Sequence, residues 1–103
     1  MTFVVNVSKN KGFTVYIGRK WGKYEMSKWH NPFHLWDHNN NRKLVLNKYE
    51  EYIRSKPELM ASIPELVDQV LGCWCYPEEC HGDVLVKLVK EYEDAQSIHG
   101  RCV

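Results

Sequence analysis

Cys73, Cys75, Cys80, His81 and Asp83 fall within one short stretch and form the chain's densest set of reactive side chains. An apolar run precedes them and a helical pattern follows, so they mark a strand-to-helix turn. A thiol at the amino end of a helix lies in the field of unpaired N–H groups, which favours the thiolate. Cys80 is the best-placed nucleophile there. His81 adds a proton-transfer group beside it, and Cys75 borders the same turn. Asp83 either joins this chemistry or caps the helix. A second reading uses the same side chains as metal ligands. Cys73, Cys75, Cys80 and His81 are soft donors of the kind that zinc or an iron–sulfur cluster takes. Against it, Cys80 and His81 are sequence neighbours, Cys73 and Cys75 project from one strand face, and no Cys-x-x-Cys knuckle is present. Cys73 equally suits the plain role of a small buried apolar residue. Cys102, in the tail, is given no role.

The second candidate region is Ser27-Lys28-Trp29-His30-Asn31-Pro32-Phe33. Pro32 restricts Asn31 to an extended backbone, from which its amide can meet a ligand edge. Lys28 or Arg19 can meet a phosphate, and Trp29 offers a ring for stacking. Phe33 reads as a core residue. His30, His34 and His38 recur every four residues, but Pro32 and Asn39-Asn40-Asn41 interrupt the helix that would align them.

Charge supports an anionic partner. Residues 1–48 hold nine lysines and arginines against two acids, and residues 49–103 hold five against eleven. The basic half also carries Trp21, Tyr24, Trp29, Phe33 and Trp36. Cations interleaved with aromatic rings suit a nucleotide or a single-stranded nucleic acid. Packing of the basic half against the acidic half within one domain is the plainer account of the same asymmetry.

These residues need elements to hold them. Phe3 to Val7 and Phe13 to Ile17 read as strands, with Phe13, Val15 and Ile17 on one face. The short link rich in turn residues predicts a hairpin. Residues 18–41 read as an ordered functional loop, with a short strand at Phe33 to Trp36. A helix is predicted from Arg42 to Ser55, capped by Asn41, with Val45, Tyr49, Tyr52 and Ile53 as its apolar stripe. Pro57 to Ala61 and Pro64 to Val67 read as short helical turns. Val70 to Cys75 is nearly all apolar, as befits a strand covered on both faces. The last helix is predicted from Gly82 to Gln96, with a fraying tail. The expected architecture is α/β: a single sheet of three to four strands, mixed, with a parallel crossover, flanked by helices.

The 103 residues fit one domain. No apolar run reaches the ~20 residues of a membrane helix, and the start lacks the basic and apolar regions of a signal peptide. The expectation is a cytoplasmic protein with reduced thiols and no membrane partner.

Three segments together resemble a known family. Val4-Val5-Asn6-Val7 with Val15-Tyr16-Ile17-Gly18-Arg19 is similar to its opening, and Ser27 to Phe33 to its Asn-Pro-Phe loop. Leu71-Gly72-Cys73-Trp74-Cys75-Tyr76-Pro77-Glu78-Glu79-Cys80-His81-Gly82-Asp83 resembles its hallmark motif. The family is domain-of-unknown-function family 4326, small domains of bacteria, phages and viruses. The resemblance implies that Arg19, Asn31, Pro32, Cys73, Cys75, Cys80, His81 and Asp83 are the positions that matter. It implies no reaction. His30 stands where the family usually has glycine, and the stretch Lys20 to Met26 is longer than usual.

Together these features favour binding of a nucleotide, nucleobase or similar anionic ligand at the Cys/His turn, with cysteine-based catalysis as an extension. A zinc or iron–sulfur module, and a binder of single-stranded nucleic acid or a partner protein, are the alternatives. Whether the chain is an enzyme is left open.

Overall fold

Val70-Leu71-Gly72-Cys73 is the central strand of the molecule, and its lack of charge reflects neighbours on both edges and both faces. The computed structural model describes residues 1–9, 12–74 and 80–101, with side chains described through residue 96. Strand β1 spans Phe3–Asn6, β2 Val15–Tyr16 and β3 Val70–Cys73. Helix α1 spans Arg42–Arg54, α2 Pro57–Ser62 and α3 His81–Arg101. Short 3-10 turns occupy Leu35–His38 and Ile63–Leu66. The α/β expectation holds: three strands in the order β1-β3-β2 form an open sheet with three helices. Among the described residues, no helix is long and apolar enough to cross a membrane.

Two strand expectations are corrected. Both β1 and β2 run parallel to β3, so the sheet is parallel and not mixed, and β1 and β2 form no hairpin. The apolar β3 inserts between them and takes hydrogen bonds from both. The short link suffices because β1 has only four residues, roughly 13 Å of chain to retrace. Phe33 to Trp36 is not a strand either. The chain instead turns into the 3-10 segment, closed by Asn39 and Asn40 at φ 54° and 56°, a region asparagine tolerates better than most residues.

The register sorts side chains onto two faces. Val4, Val15 and Leu71 are partners on one face, and Val5, Tyr16 and Gly72 on the other. The first face packs on the stripes Val45, Tyr49 and Ile53 of α1 and Val84, Leu85, Leu88 and Val89 of α3. The predicted helical periodicity is therefore seen, with Tyr52 and Tyr92 half-buried at the margin. Asn41 caps α1 as expected, its Oδ1 accepting from the Leu44 N–H at 3.0 Å. Helix α3 continues past Gln96 to Arg101, because Gly100 costs a helix only about 1 kcal/mol. Lys87 and Arg54 tie the two long helices through Glu50 and Glu91, at 3.0 and 2.8 Å.

The second face is covered by rings. Phe13 lies over Gly72, away from Val15 and Ile17, which corrects the expectation that these three share a face. Phe13, Tyr16, Tyr24 and Trp74 form a ring cluster, with Trp21 edge-on to Trp74. A Cβ at Gly72 would stand 2.7 Å from the Phe13 ring. Gly72→Ala is therefore expected to cost about 1–3 kcal/mol, the usual penalty of overpacking. Urea denaturation checks this, and an unchanged midpoint would show that Phe13 moves aside freely.

Candidate functional site

The start of α3 seats closely on the sheet because Gly82 has no side chain. A Cβ there would lie 2.8 Å from Val4 and 3.0 Å from Ile17. This approach brings Cys73, from the strand, beside Cys80 and His81, from the helix start. One donor atom from each of the three lies within 4.8 Å of the others, and all three residues are buried. Cys73 and Cys80 are not disulfide-bonded. The sequence objection that neighbours such as Cys80 and His81 do not share a site is met by geometry. Cys80 precedes the first helical turn, so its side chain leaves in a direction that a helical neighbour's would not.

The helix start is fastened by Asp83. Its Oδ2 accepts from the Cys80 N–H at 3.0 Å, and its own N–H donates to the Cys80 carbonyl at 2.9 Å. This is the carboxylate arm of a capping box, the capping alternative for Asp83. His81 Nε2 donates to the Ile17 carbonyl at 2.6 Å, and its ring stands edge-on to Tyr49 at 5.0 Å. Burial pushes the His81 imidazole down to about 4, only partly countered by that hydrogen bond. The ring is thus neutral at pH 7 and offers Cys80 no cationic partner. Burial also pushes the Tyr49 phenol well above its ordinary range, so it stays a neutral donor to the Trp29 carbonyl at 2.6 Å.

Above this floor opens a cleft of about 670 Å³. Its lining includes the buried Gly18, Cys73, Cys80 and His81, the half-buried Asn31, Phe33, His34 and Arg42, and the exposed Arg19, Lys20, Trp21, Trp36 and Trp74. Trp21 and Trp36 are 66% and 72% exposed, unusual for rings of their size. Arg19 serves as a clamp. Its Nε and Nη2 donate to the Asn31 carbonyl at 3.0 and 2.5 Å, and Nη2 also reaches the Phe33 carbonyl at 3.3 Å. Asn31 Oδ1 accepts from the Phe33 N–H at 2.9 Å across Pro32, so the Asn-Pro-Phe loop is a tight turn facing the cleft.

Not every candidate from the sequence is brought to the cluster. Arg19 and Asn31 are in the cleft, while Trp29 is 2% exposed and belongs to the core. Lys28 points away, pairing with Glu65 at 2.8 Å and lying over the outer side of Trp29. Cys75 and Cys102 lie outside the described residues. Trp21 and Trp36, expected only as part of the ring-rich basic half, line the cleft with Lys20 and Trp74, which are not among the candidate site residues above. Their clustering in one ring-rich loop and beside Cys73 was the available signal, but exposure is a property of the fold.

The fold and site define a small parallel-sheet α/β domain with a buried thiol–imidazole cluster under an aromatic cleft. The chain belongs to the family described as Domain of unknown function (DUF4326), which matches over residues 5–91. No curated protein and no solved structure matches it.

Proposed function

We propose that the cleft binds a small planar ligand bearing an anionic group, of the nucleotide or nucleobase class. The observation that carries this reading is the composition of the cleft. Exposed indoles of Trp21 and Trp36, with Trp74, share it with Lys20, Arg42 and the Arg19 clamp. Large rings left in water suit a ligand that stacks, and about 670 Å³ is within the usual range for a small-molecule site. Asn31 and Phe33, held by the turn across Pro32, supply shape to the lining. The Cys80 thiol at the floor would lie beside the ligand, as the catalytic extension of this reading requires. His81, being neutral, would orient or accept a hydrogen bond and not activate the thiol by charge.

Intrinsic tryptophan fluorescence, titrated with nucleoside mono-, di- and triphosphates and free bases, tests the reading. Quenching that saturates is expected, and Trp36→Ala is expected to weaken binding roughly 10–100-fold, as loss of one stacking ring does. A short single-stranded oligonucleotide competing far better than any mononucleotide would move the reading to nucleic acid. No response to any of these at millimolar concentration would overturn it.

A further inference from the structure

We propose that Cys73, Cys80 and His81 form a zinc site with one coordination position open to the cleft. The three residues already converge, with one ligand atom of each within 4.8 Å of the others. Tetrahedral zinc, with Zn–S near 2.3 Å and Zn–N near 2.0–2.1 Å, places donors roughly 3.6–3.8 Å apart. About 1 Å of side-chain closure therefore completes the site. The donors stand at the end of the central strand and at the start of the longest helix, which Gly82 seats closely on Val4 of β1 and on Ile17. Such support suits a metal site better than a mobile loop does.

The hydrogen bond that His81 makes suits a ligand. Metal-binding imidazoles commonly donate the second ring N–H to a backbone carbonyl, which fixes tautomer and direction. Here Nε2 donates to the Ile17 carbonyl, and Tyr49 holds the ring from its edge. Nδ1 is then the ring nitrogen left for a metal. Two sulfurs and one imidazole nitrogen form a soft donor set, poor for calcium or magnesium and good for zinc. Two thiolates balance the charge of a divalent ion, and the start of α3 favours the Cys80 thiolate.

Three protein ligands are one short of a closed structural site. Among the described residues, no fourth histidine, cysteine or carboxylate joins the group. All three ligand residues line the cleft. The fourth position therefore faces the space where the ligand reading places its occupant, and suits a water or a donor atom of that occupant. The zinc inference does not depend on the ligand reading, since zinc binds whether or not a nucleotide does.

The test is zinc content and cysteine protection in protein purified without chelator. One equivalent of zinc is expected in the wild type and in a C75S/C102S chain, which keeps only Cys73 and Cys80. Zinc should slow alkylation of both remaining thiols at least tenfold, and a strong chelator should restore it. Cobalt in place of zinc should give thiolate-to-metal charge-transfer absorption with tetrahedral visible bands. His81→Gln should weaken zinc affinity about 100-fold or more, beyond the 10–100-fold typical of outer partners. Should His81→Gln fail to fold, the protection and cobalt measurements on the unaltered chain still decide. A folded wild type that takes no stoichiometric zinc, or one whose Cys80 alkylates equally fast with zinc, overturns the site. Loss of zinc on C75S/C102S substitution overturns the three-residue ligand set. Nucleotide titration in the presence of chelator reads the ligand proposal separately.

Discussion

Replacing Tyr49 by alanine is expected to lower stability by about 4 kcal/mol, near the upper range for losing a large buried ring. For a chain of 103 residues, against a typical total stability of the order of 5–15 kcal/mol, that is a loss that brings it close to unfolding. Among the described residues, Tyr49 is the largest fully buried side chain. Its ring lies at the centre of the core shared by the sheet, α1 and α3, and stands against His81 and Tyr52. Its hydroxyl donates to the Trp29 carbonyl and so anchors the loop that carries Asn31 and Pro32. Tyr49→Phe keeps the ring and removes only that hydrogen bond, leaving a buried carbonyl short of a donor, for about 1–3 kcal/mol. Urea denaturation of the two variants separates the effects. Equal losses would mean that the hydroxyl dominates, and that the cavity left by the ring closes almost completely. The same experiment reads the site, because a cavity beneath His81 should also loosen the Cys73–Cys80–His81 cluster.

Elements whose signal is local were legible in the sequence. The apolar stripes of α1 and α3 follow from spacing alone, Asn41 caps α1 through its own side chain, and β3 is apolar because it is central. Elements decided by distant partners were not. Nothing within residues 3–17 shows that β3 will insert between β1 and β2, so a short turn-rich link reads as a hairpin. Nothing near Phe13 shows that Gly72, far along the chain, leaves a space for its ring on the opposite face. The site divides in the same way. Cys73, Cys80 and His81 were visible as candidates from residue type, and Asp83 as a possible cap. Their convergence depends on the close approach at Gly82, which requires the positions of Val4 and Ile17. Trp29 and Trp36 are chemically alike and seven residues apart in one ring-rich loop. One is core, its carbonyl held by the Tyr49 hydroxyl, and the other is exposed in the cleft, a difference set by partners distant in the chain.

Chelator-treated protein is expected to lose about 3 kcal/mol of stability between pH 6.5 and pH 4 through His81 alone. The ring titrates near 6.5 in an unfolded chain, and burial holds it at about 4 in the folded one. Between those values the unfolded chain binds a proton that the folded chain does not. Stability therefore rises with pH across the window, is fully present above about 6.5, and is lost as pH falls through about 4. The steepest slope is about 1.4 kcal/mol per pH unit. The two carboxylates that lysines hold low stay out of the upper part of this window. Glu50, held low chiefly by its hydrogen bond to Lys87, and Glu65, held low chiefly by Lys28, give up their contributions only below their ordinary range. Urea midpoints at pH 7, 6, 5 and 4.5 measure the loss, and His81→Gln, whose amide can still donate to the Ile17 carbonyl, should flatten the profile. A wild type equally stable at pH 7 and 4.5, or a glutamine variant with the same slope, would remove His81 as the cause. With zinc restored the loss should steepen, because protons then compete with the metal for two thiolates as well as for the imidazole. The difference between the two profiles thus separates the buried ring's own titration from that of the metal site it is proposed to serve.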